Sequence, residues 1–477
     1  MPLTVYDEIR QKKVPFEPLV AGKVGMYVCG MTVQDRPHMG HMLAFVSSDV
    51  IRRYLEHVGY EVTFIQNFTD IDDKIIAKAT EEGLDCRVVA QRNIDAYFGA
   101  AEALNVRPAT VYPCATEHID DILALIAKLE AGGHAYAAGG DVYFRVRSMA
   151  DYGKLSRRNV DDLMSGARIE VGAEKEDPLD FALWKGSQPP EPGWESPWGR
   201  GRPGWHIECS AMAMKYLGET LDFHGGGEDL IFPHHENEIA QSECATGRPF
   251  VRFWLHNGLL NLRGQKMSKS TGHFFSMEDV LREFPGEVVR FYLLSTHFRS
   301  QSEFSRERLT DASRAYERLV NACRSIDEQL TRLGDGPAVS TPAGARLAAA
   351  AEAARARFHA AMDDDFNTAG AVGQLFELVR AYNSAADEPG APLARDREAL
   401  EAVRLAIASF DAILGLFRDG PPRAVDDVPA EIHRLVAERE AARKARDFAR
   451  ADSLRGEIAE AGFVLEDTPQ GARVRRK

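Results

Sequence analysis

One thiol and two imidazoles lie close together near the amino terminus, in the stretch from Cys29 to His41. Alternating apolar residues at 24–28 predict a short buried strand that ends at Cys29. Residues 42–55 have the apolar spacing of a helix. The sequence therefore predicts a cysteine at the carboxyl end of a strand, and His38 and His41 three residues apart where the next helix begins.

These residue types suit the binding of a phosphate-containing ligand. Ligands of open parallel sheets bind beyond the carboxyl ends of the strands, and the unpaired N–H groups of a helix amino terminus favour phosphate. His38 and His41 can both donate to a phosphate, while Gly40 leaves room for a flat ring to approach the backbone. The alternative is a pair of surface histidines after a turn at Pro37.

Two lysines three residues apart occur in a second segment, between Gly264 and Gly272. The glycines permit a mobile loop, so Lys266 and Lys269 can both face a triphosphate. Positioned ammonium groups would stabilise the charge that builds on a departing pyrophosphate. The alternative is a solvated loop with two lysines.

The composition is that of a cytosolic protein with several domains. A chain of 477 residues is too long for one core, and 44% hydrophobic with 27% charged residues is typical of globular proteins. We expect no membrane segment, because no apolar run approaches the length of a bilayer. Six cysteines without a Cys-x-x-Cys pair argue against a disulfide framework and a zinc ribbon.

A net charge of −14 alone would argue against a polyanionic partner. The local balance matters more, and residues 434–477 hold eleven Lys and Arg against eight Asp and Glu. The carboxyl end is therefore locally basic in an acidic protein.

Periodicity and turn residues predict the remaining elements. Thr69 or Asp70 would suit the N-cap of a helix at 71–79. We expect strands at 62–66, 135–136 and 141–146, a loop at 186–204, helices at 87–104, 117–131, 306–330, 343–361, 368–386 and 396–417, one amphipathic helix at 432–461, and a hairpin at 463–476.

The stretch from Cys29 to His41 and the Lys-Met-Ser-Lys-Ser sequence at 266–270 resemble the two signature motifs of class I aminoacyl-tRNA synthetases. The cysteine before the first motif makes the resemblance specific to the cysteinyl-tRNA synthetases, and it covers nearly the whole chain. It implies an α/β fold, in which a Rossmann-like parallel-sheet catalytic domain with an insertion precedes an α-helical bundle and a small anticodon-binding domain. The implied boundaries are 1–111 and 202–262 for the catalytic halves, 112–201 for the insertion, 263–304 for the lysine loop and stem-contact region, 305–418 for the bundle, and 425–477 for the anticodon-binding domain.

The resemblance also implies one zinc ion per chain, with Cys29, Cys209, His234 and Glu238 as ligands. All three group types are good zinc ligands, and a spacing of four places His234 and Glu238 on one helical face. Without the resemblance, two cysteines so far apart are more often buried core thiols than metal ligands. A metal has a chemical reason here, because a pocket that judges size alone separates cysteine from serine by only about 1–3 kcal/mol.

Further site residues follow from the same resemblance. The nucleotide residues would be His38, His41, Lys266 and Lys269, with Gly40 also at ATP, which Mg²⁺ should accompany. The cysteine pocket would contain Thr69, Trp205 and His256, and the anticodon contacts would be Arg443, Phe448, Asp452 and Asp467. Phe448 departs from a family tryptophan and loses the indole donor. As alternatives, Trp205 could be a core aromatic residue, and the charged helix face near Arg443 could simply be solvated.

The implied reaction is ATP-dependent activation of L-cysteine and its transfer to the 3′ end of tRNA(Cys), by a cytoplasmic monomer. Two other readings stay open from the sequence. One is a ligase that joins activated cysteine to a small amine; such enzymes lack the basic carboxyl end. The other is a non-catalytic tRNA-binding paralogue, against which the intact histidine and lysine motifs speak.

Overall fold

The computed structural model describes residues 2–159, 174–262, 265–266, 276–333, 339–388, 396–423, 430–445, 447–468 and 471–476. Its strands are β1 (Thr4–Asp7), β2 (Lys12–Pro15), β3 (Lys23–Val28), β4 (Glu61–Gln66), β5 (Ala135–Ala138), β6 (Asp141–Phe144), β7 (Phe181–Gly186), β8 (Gly201–Pro203), β9 (Leu221–Gly227), β10 (Val251–Asn257), β11 (Leu260–Leu262), β12 (Gln265–Lys266), β13 (Ser302–Phe304), β14 (Phe463–Thr468) and β15 (Gly471–Arg476). Its helices are α1 (Met39–His57), α2 (Asp73–Glu82), α3 (Cys86–Ala103), α4 (Ile119–Ala131), α5 (Trp205–Leu217), α6 (Glu236–Thr246), α7 (Met277–Glu283), α8 (Gly286–Leu294), α9 (Arg306–Leu333), α10 (Pro342–Met362), α11 (Thr368–Ala386), α12 (Arg397–Leu414), α13 (Ala430–Lys444) and α14 (Phe448–Glu460), besides short turns.

The centre of the catalytic part is a parallel sheet of four strands in the order β10-β9-β3-β4. The apolar residues of β3 and β4 are buried because helices cover the sheet, as parallel strands require. Both predicted strands are confirmed. The carboxyl ends of β3, β9 and β10 lie side by side, so residues that follow them meet at one edge.

Helix α1 begins three residues before its predicted start, with His38 as its N-cap. The expectation that Thr69 or Asp70 caps the next helix is wrong. Asp72 caps α2, since its side chain accepts from the backbone N–H of Lys74 at 2.8 Å. Thr69 is buried instead and is available for another role.

An antiparallel sheet in the order β5-β6-β7-β8 lies between the two halves of the parallel sheet in sequence. The predicted hairpin is confirmed, and Gly139 and Gly140 both have the positive φ that a tight two-residue turn needs. The prediction of a loop throughout 186–204 is wrong at its end, because Gly201–Pro203 pairs with β7 as an edge strand. Proline is tolerated there because an edge strand needs fewer N–H donors.

Helices α9 to α12 form the predicted bundle, with ends within a few residues of those expected. The prediction of one helix at 432–461 is wrong. The segment forms α13 and α14, and the side chain of Asp447 caps the second helix by accepting from the N–H of Arg450 at 3.0 Å. The hairpin of β14 and β15 is confirmed. No described helix is both long and apolar enough to cross a bilayer.

A buried ionic network joins the catalytic part to the helical bundle. The carboxylate of Asp49 accepts from Arg53 at 2.8 Å and from Arg290 at 2.6 Å. Arg290 is fully buried and also donates to the carbonyl of Leu414 at the end of α12. The middle of α1 is therefore fixed against the bundle, while the two histidines lie at its amino terminus.

Removal of this carboxylate should destabilise the protein strongly. In Asp49→Ala two buried guanidinium groups lose their counter-charge, which typically costs about 3–5 kcal/mol in the free energy of unfolding. Asp121→Ala, which removes an exposed ion pair with Lys215, should cost about 0–1 kcal/mol. Calorimetry and urea denaturation measure both effects, and equal shifts in the two variants would contradict the assigned importance of the network.

Candidate metal centre and nucleotide cleft

The four expected metal ligands come from three segments that meet at the carboxyl edge of the parallel sheet. Cys29 directly follows β3, and its N–H donates to the carbonyl of Gly225 in β9 at 3.0 Å. Cys209 lies in the second turn of α5. His234 lies in the helical turn just before α6, and Glu238 lies in the first turn of α6, on the same side as their spacing predicts. All four side chains are buried.

The donor atoms of these four side chains lie close enough together to share one ion, since all of them lie within 4.8 Å of one another. The sulfur of Cys29 lies 3.5 Å from that of Cys209 and 3.4 Å from Oε1 of Glu238. Nε2 of His234 lies 3.1 Å from the same oxygen. Zinc bonds of about 2.0–2.3 Å in tetrahedral geometry separate neighbouring ligands by roughly 3.3–3.8 Å. The side chains thus fit a zinc ion with little movement.

The charges of this cluster also favour a cation. Hydrogen bonding from the Cys29 thiol, together with His234 nearby, lowers the pKa of Cys209 to about 6 although burial opposes it. Burial would lower the pKa of His234, but Glu238 and Cys209 outweigh it and raise that pKa to about 10. Without a metal, therefore, a protonated His234 offsets one of the two negative charges of the Cys209 thiolate and the Glu238 carboxylate.

Two more histidines support the ligands. His224, at the end of β9, lies with Nε2 2.8 Å from Oε2 of Glu238 and leaves Oε1 for the cluster. Nδ1 of His206 lies 3.0 Å from Nδ1 of His234, and burial lowers the pKa of His206, so it stays neutral and accepts the proton of His234 Nδ1. Such outer partners fix the tautomer and orientation of metal ligands.

The structure also brings together a second set of donors, which sequence reasoning missed. Donor atoms of Cys29, His224, His235 and Glu238 all lie within 4.8 Å of one another. Both sets share Cys29 and Glu238, so they describe one centre rather than two. The set with two thiols agrees better with the separation of ligands around zinc, since Nε2 of His235 lies 3.9 Å from Oε1 of Glu238.

Of the residues expected around the amino-acid substrate, Trp205 lines the cleft, whereas Thr69 and His256 are buried behind its wall. Trp205 lines the cleft beside Cys29, and its ring stacks on His234 with centroids 4.3 Å apart. The Thr69 hydroxyl donates to Glu208 at 2.7 Å, and burial raises the pKa of that carboxyl well above its usual value. His256 is buried behind His235 and reaches the cluster only through that ring.

The two histidines at the start of α1 hold each other in place. Their rings stack with centroids 3.6 Å apart, and each Nδ1 accepts from the backbone N–H of the other residue, at 3.3 and 3.4 Å. Burial lowers the pKa of His38 to about 4 and that of His41 well below its ordinary value. Both imidazoles are therefore neutral, with the proton on Nε2.

These histidines line a cleft of about 290 Å³. Its walls are formed by residues from the ends of β3, β9 and β10 and from α1, including Cys29, Gly30, Gly40, Trp205, Asp229 and Asn257. Gly40 lies in the wall of this cleft, where a Cβ atom would lie 3.1 Å from the imidazole of His38. The expectation that Gly40 leaves room for a ligand ring stays a prediction.

The lysine motif and the anticodon residues are described only in part. Lys266 belongs to β12, which pairs with β11, whereas Lys269 lies outside the described residues. Arg443, Phe448 and Asp452 are exposed on α13 and α14, with Phe448 at 63%. Asp467 lies in β14, and its side chain is outside the described part.

Comparison with protein families divides the chain into three matched parts. Residues 15–314 match the model of the class I (C) tRNA synthetase catalytic domain. Residues 357–418 match the DALR domain, and residues 425–475 match the cysteinyl-tRNA ligase anticodon binding domain. The matches thus cover the parallel sheet, the later part of the bundle and the carboxyl-terminal unit.

Similar proteins extend over the full chain. The cysteine–tRNA ligase of Heliobacterium modesticaldum is 51% identical over 99% of both chains, and that of Symbiobacterium thermophilum is 51% identical over 100% of both. Among solved structures, methionyl-tRNA synthetase of Mycobacterium tuberculosis with methionyl-adenylate aligns at a TM-score of 0.65 and 19% identity, covering 82% of this chain and 92% of that one. At that identity the last likeness shows the class I synthetase fold alone.

The close approach of the Cys29 segment to β4 gives a test of the centre. A Cβ atom at Gly30 would lie 1.5 Å from the carbonyl oxygen of Asn67, so Gly30→Ala must displace Cys29. We expect this variant to lose tight binding of Co²⁺, measured by thiolate-to-metal absorption. Gly99→Ala, where nothing lies within 4 Å, serves as the control. Wild-type binding by Gly30→Ala would show that the cluster does not hold the metal.

Proposed function

This chain belongs to the cysteine–tRNA ligase family, and we propose that its buried cluster of Cys29, Cys209, His234 and Glu238 holds one zinc ion that selects cysteine by its thiol. The close spacing of the four donors, all within 4.8 Å of one another and next to Trp205 in the nucleotide cleft, is the observation that carries this proposal. The reaction joins cysteine to ATP as an adenylate with release of pyrophosphate, and then transfers the cysteinyl group to tRNA.

The donor set suits recognition of sulfur. Bound zinc would supply a soft Lewis acid that stabilises a thiolate and against which an alcohol competes poorly. The side chains of this protein provide the remaining selection: Trp205 closes one wall, and the buried Cys29 and Cys209 thiols exclude water from the centre. Cysteine can therefore be separated from serine by coordination, beyond the small difference in size.

The histidine pair supports a role in holding ATP. Its two Nε2–H groups and the amino terminus of α1 are donors suited to phosphate oxygens. Because both rings are neutral, they orient the nucleotide without adding a full charge. We assign charge neutralisation to Mg²⁺ and to the ammonium groups of Lys266 and Lys269. Catalysis then consists mainly of positioning and electrostatic stabilisation.

The carboxyl-terminal unit supports recognition of a tRNA loop. Exposed Arg443, Phe448 and Asp452 can donate, stack and accept at unstacked bases, as single-stranded RNA requires. We assign the same function to Asp467. We further propose that the enzyme works as a monomer in the cytoplasm; these two points rest on the sequence reasoning.

The metal role is tested by Cys209→Ser. Loss of one thiolate should raise the KM for cysteine in cysteine-dependent pyrophosphate exchange at least about tenfold, as loss of a metal ligand weakens the centre, while the KM for ATP stays near its wild-type value. Cys244→Ser, a half-buried cysteine away from the cluster, should behave as the wild type. Metal analysis of both variants accompanies the kinetics, and equal losses for cysteine and ATP would contradict the proposal.

The tRNA role is tested on α13. Arg443→Ala should raise the KM for tRNA in aminoacylation and leave pyrophosphate exchange unchanged, because exchange needs no tRNA. Arg434→Ala is a matched control, since a separation of nine residues places this exposed arginine on the opposite face of the same helix. Unaltered aminoacylation by Arg443→Ala would remove this residue from the interface, and efficient transfer to a small amine instead of tRNA would favour the alternative ligase.

A further inference from the structure

One face of the parallel sheet carries polar side chains directly beneath the proposed metal centre. Tyr27 of β3 lies opposite Ile65 of β4 in the parallel register. Side chains two residues apart in a strand point to the same face, which places Cys29 on the face of Tyr27 and Asn67 on the face of Ile65. Helix α5, which contains Cys209, packs against both strands. Tyr27 and Asn67 therefore lie on the side of the sheet where the thiols meet.

The hydroxyl of Tyr27 is buried next to the two sulfur atoms. The residue is inaccessible to solvent, and its ring lies beside that of His224 with centroids 5.1 Å apart. Cys209 and Cys29 are the side chains with which the hydroxyl interacts most strongly. Within the described ranges of the chain, however, no group accepts its proton in normal hydrogen-bond geometry. A buried O–H donor is costly unless a bound group satisfies it.

The side-chain amide of Asn67 provides a second unpaired donor. Its Oδ1 accepts from the N–H of Gly30 at 2.9 Å and lies 3.8 Å from the sulfur of Cys209. The contact with Gly30 assigns the orientation of the amide, because only the oxygen can accept an N–H. Nδ2 is buried, and none of the described residues accepts a hydrogen bond from it. The same amide thus holds the segment of Cys29 and leaves its two N–H groups for another acceptor.

Unpaired donors at this place suit metal-bound sulfur. A thiol that binds a metal loses its proton, and the sulfur keeps lone pairs that accept hydrogen bonds. Two thiolates and a carboxylate already exceed the charge of a divalent ion, and the thiolate of bound cysteine would add further negative charge. Such charge in a site without water is costly unless hydrogen bonds compensate it. The donors that are unpaired in the metal-free protein therefore find acceptors when metal and substrate are bound.

Building on the proposed zinc site, we propose that Tyr27 and Asn67 are positioning residues, which donate hydrogen bonds from their hydroxyl and amide groups to the metal-bound thiolates and so stabilise the added charge of the substrate thiolate. An amino acid without sulfur adds no such charge and gains nothing from these donors. Selection of cysteine then depends on the donors behind the metal ligands as well as on the ligands themselves.

The kinetic test removes a single hydroxyl. Tyr27→Phe keeps the buried ring and should raise the KM for cysteine in pyrophosphate exchange about tenfold, the lower range for partners behind a metal ligand, with the KM for ATP unchanged. The inhibition constant of α-aminobutyrate, which has the size of cysteine but no sulfur, should keep its wild-type value. Tyr382→Phe, which loses a buried hydroxyl in the helical bundle, is the matched control. Equal weakening of cysteine and α-aminobutyrate, or no change in either, would overturn the proposal.

A second variant changes the amide. Asn67→Asp keeps an oxygen for the N–H of Gly30 but replaces the N–H donors by another oxygen. We expect a larger rise in the KM for cysteine than in Tyr27→Phe, because repulsion between the carboxylate and the thiolates is added to the lost hydrogen bond. A wild-type KM for cysteine in Asn67→Asp would overturn the role of this residue.

A spectroscopic readout separates hydrogen bonding from damage to the fold. With Co²⁺ in place of zinc, Tyr27→Phe should still bind one metal ion per chain. Its sulfur-to-metal charge-transfer band should shift to lower energy, because a thiolate without a donor holds its electrons less tightly. An unshifted band at full metal content would overturn the proposal. Zinc analysis and cysteine-dependent exchange of the wild-type enzyme test the proposed function independently, so a failure there is distinguishable from a failure of the two donors.

Discussion

The structure depends on the burial of several ionisable side chains, among them thiols and a carboxylate, in one cluster. A thiolate and a carboxylate removed from water are costly by several kcal/mol each unless a cation or strong hydrogen bonds compensate them. Here the protonated His234 compensates one of the two negative charges of Cys209 and Glu238, and a divalent ion can take over this role because the donors already lie within 4.8 Å of one another. The charges and positions of these side chains thus favour a cation even in the metal-free protein.

This constraint explains why the centre is built on a parallel sheet. Three distant segments must deliver their donors within a few tenths of an ångström, and the register of β3 with β9 provides this precision, since Val28 pairs with Gly225 and the N–H of Cys29 continues the same ladder. The amino terminus of α1 lies at the same edge, so the proposed nucleotide and sulfur sites are adjacent. The Asp49–Arg290 network then connects the middle of α1 to the bundle.

Local patterns in the sequence predicted much of this, and the non-local parts were less accessible. The strand before Cys29 and the helix after His38 follow from periodicity, because neighbouring residues determine them. The break between α13 and α14 was missed because no glycine or proline marks it; Asp447, a good N-cap residue, was the available signal. His224 and His235 could not be assigned, since the donor atoms that they approach lie in segments whose proximity only the fold determines.

The two sides of the cleft differ in charge: the metal cluster contains ionised groups, whereas the histidine pair is neutral. Each arrangement suits the function proposed for it. The sulfur side gathers ionised donors for a cation, because selection there depends on the softness of a metal–ligand bond. On the proposed nucleotide side the stacked histidines are neutral, since burial keeps both pKa values low and the neighbouring His38 ring lowers that of His41 further. Two fixed cations there would bind the phosphates equally well before and during the reaction, and such uniform binding does not accelerate the chemical step. In the proposed mechanism, neutral Nε2–H donors orient the nucleotide, and Mg²⁺ and the lysine ammonium groups stabilise the charge of the departing pyrophosphate.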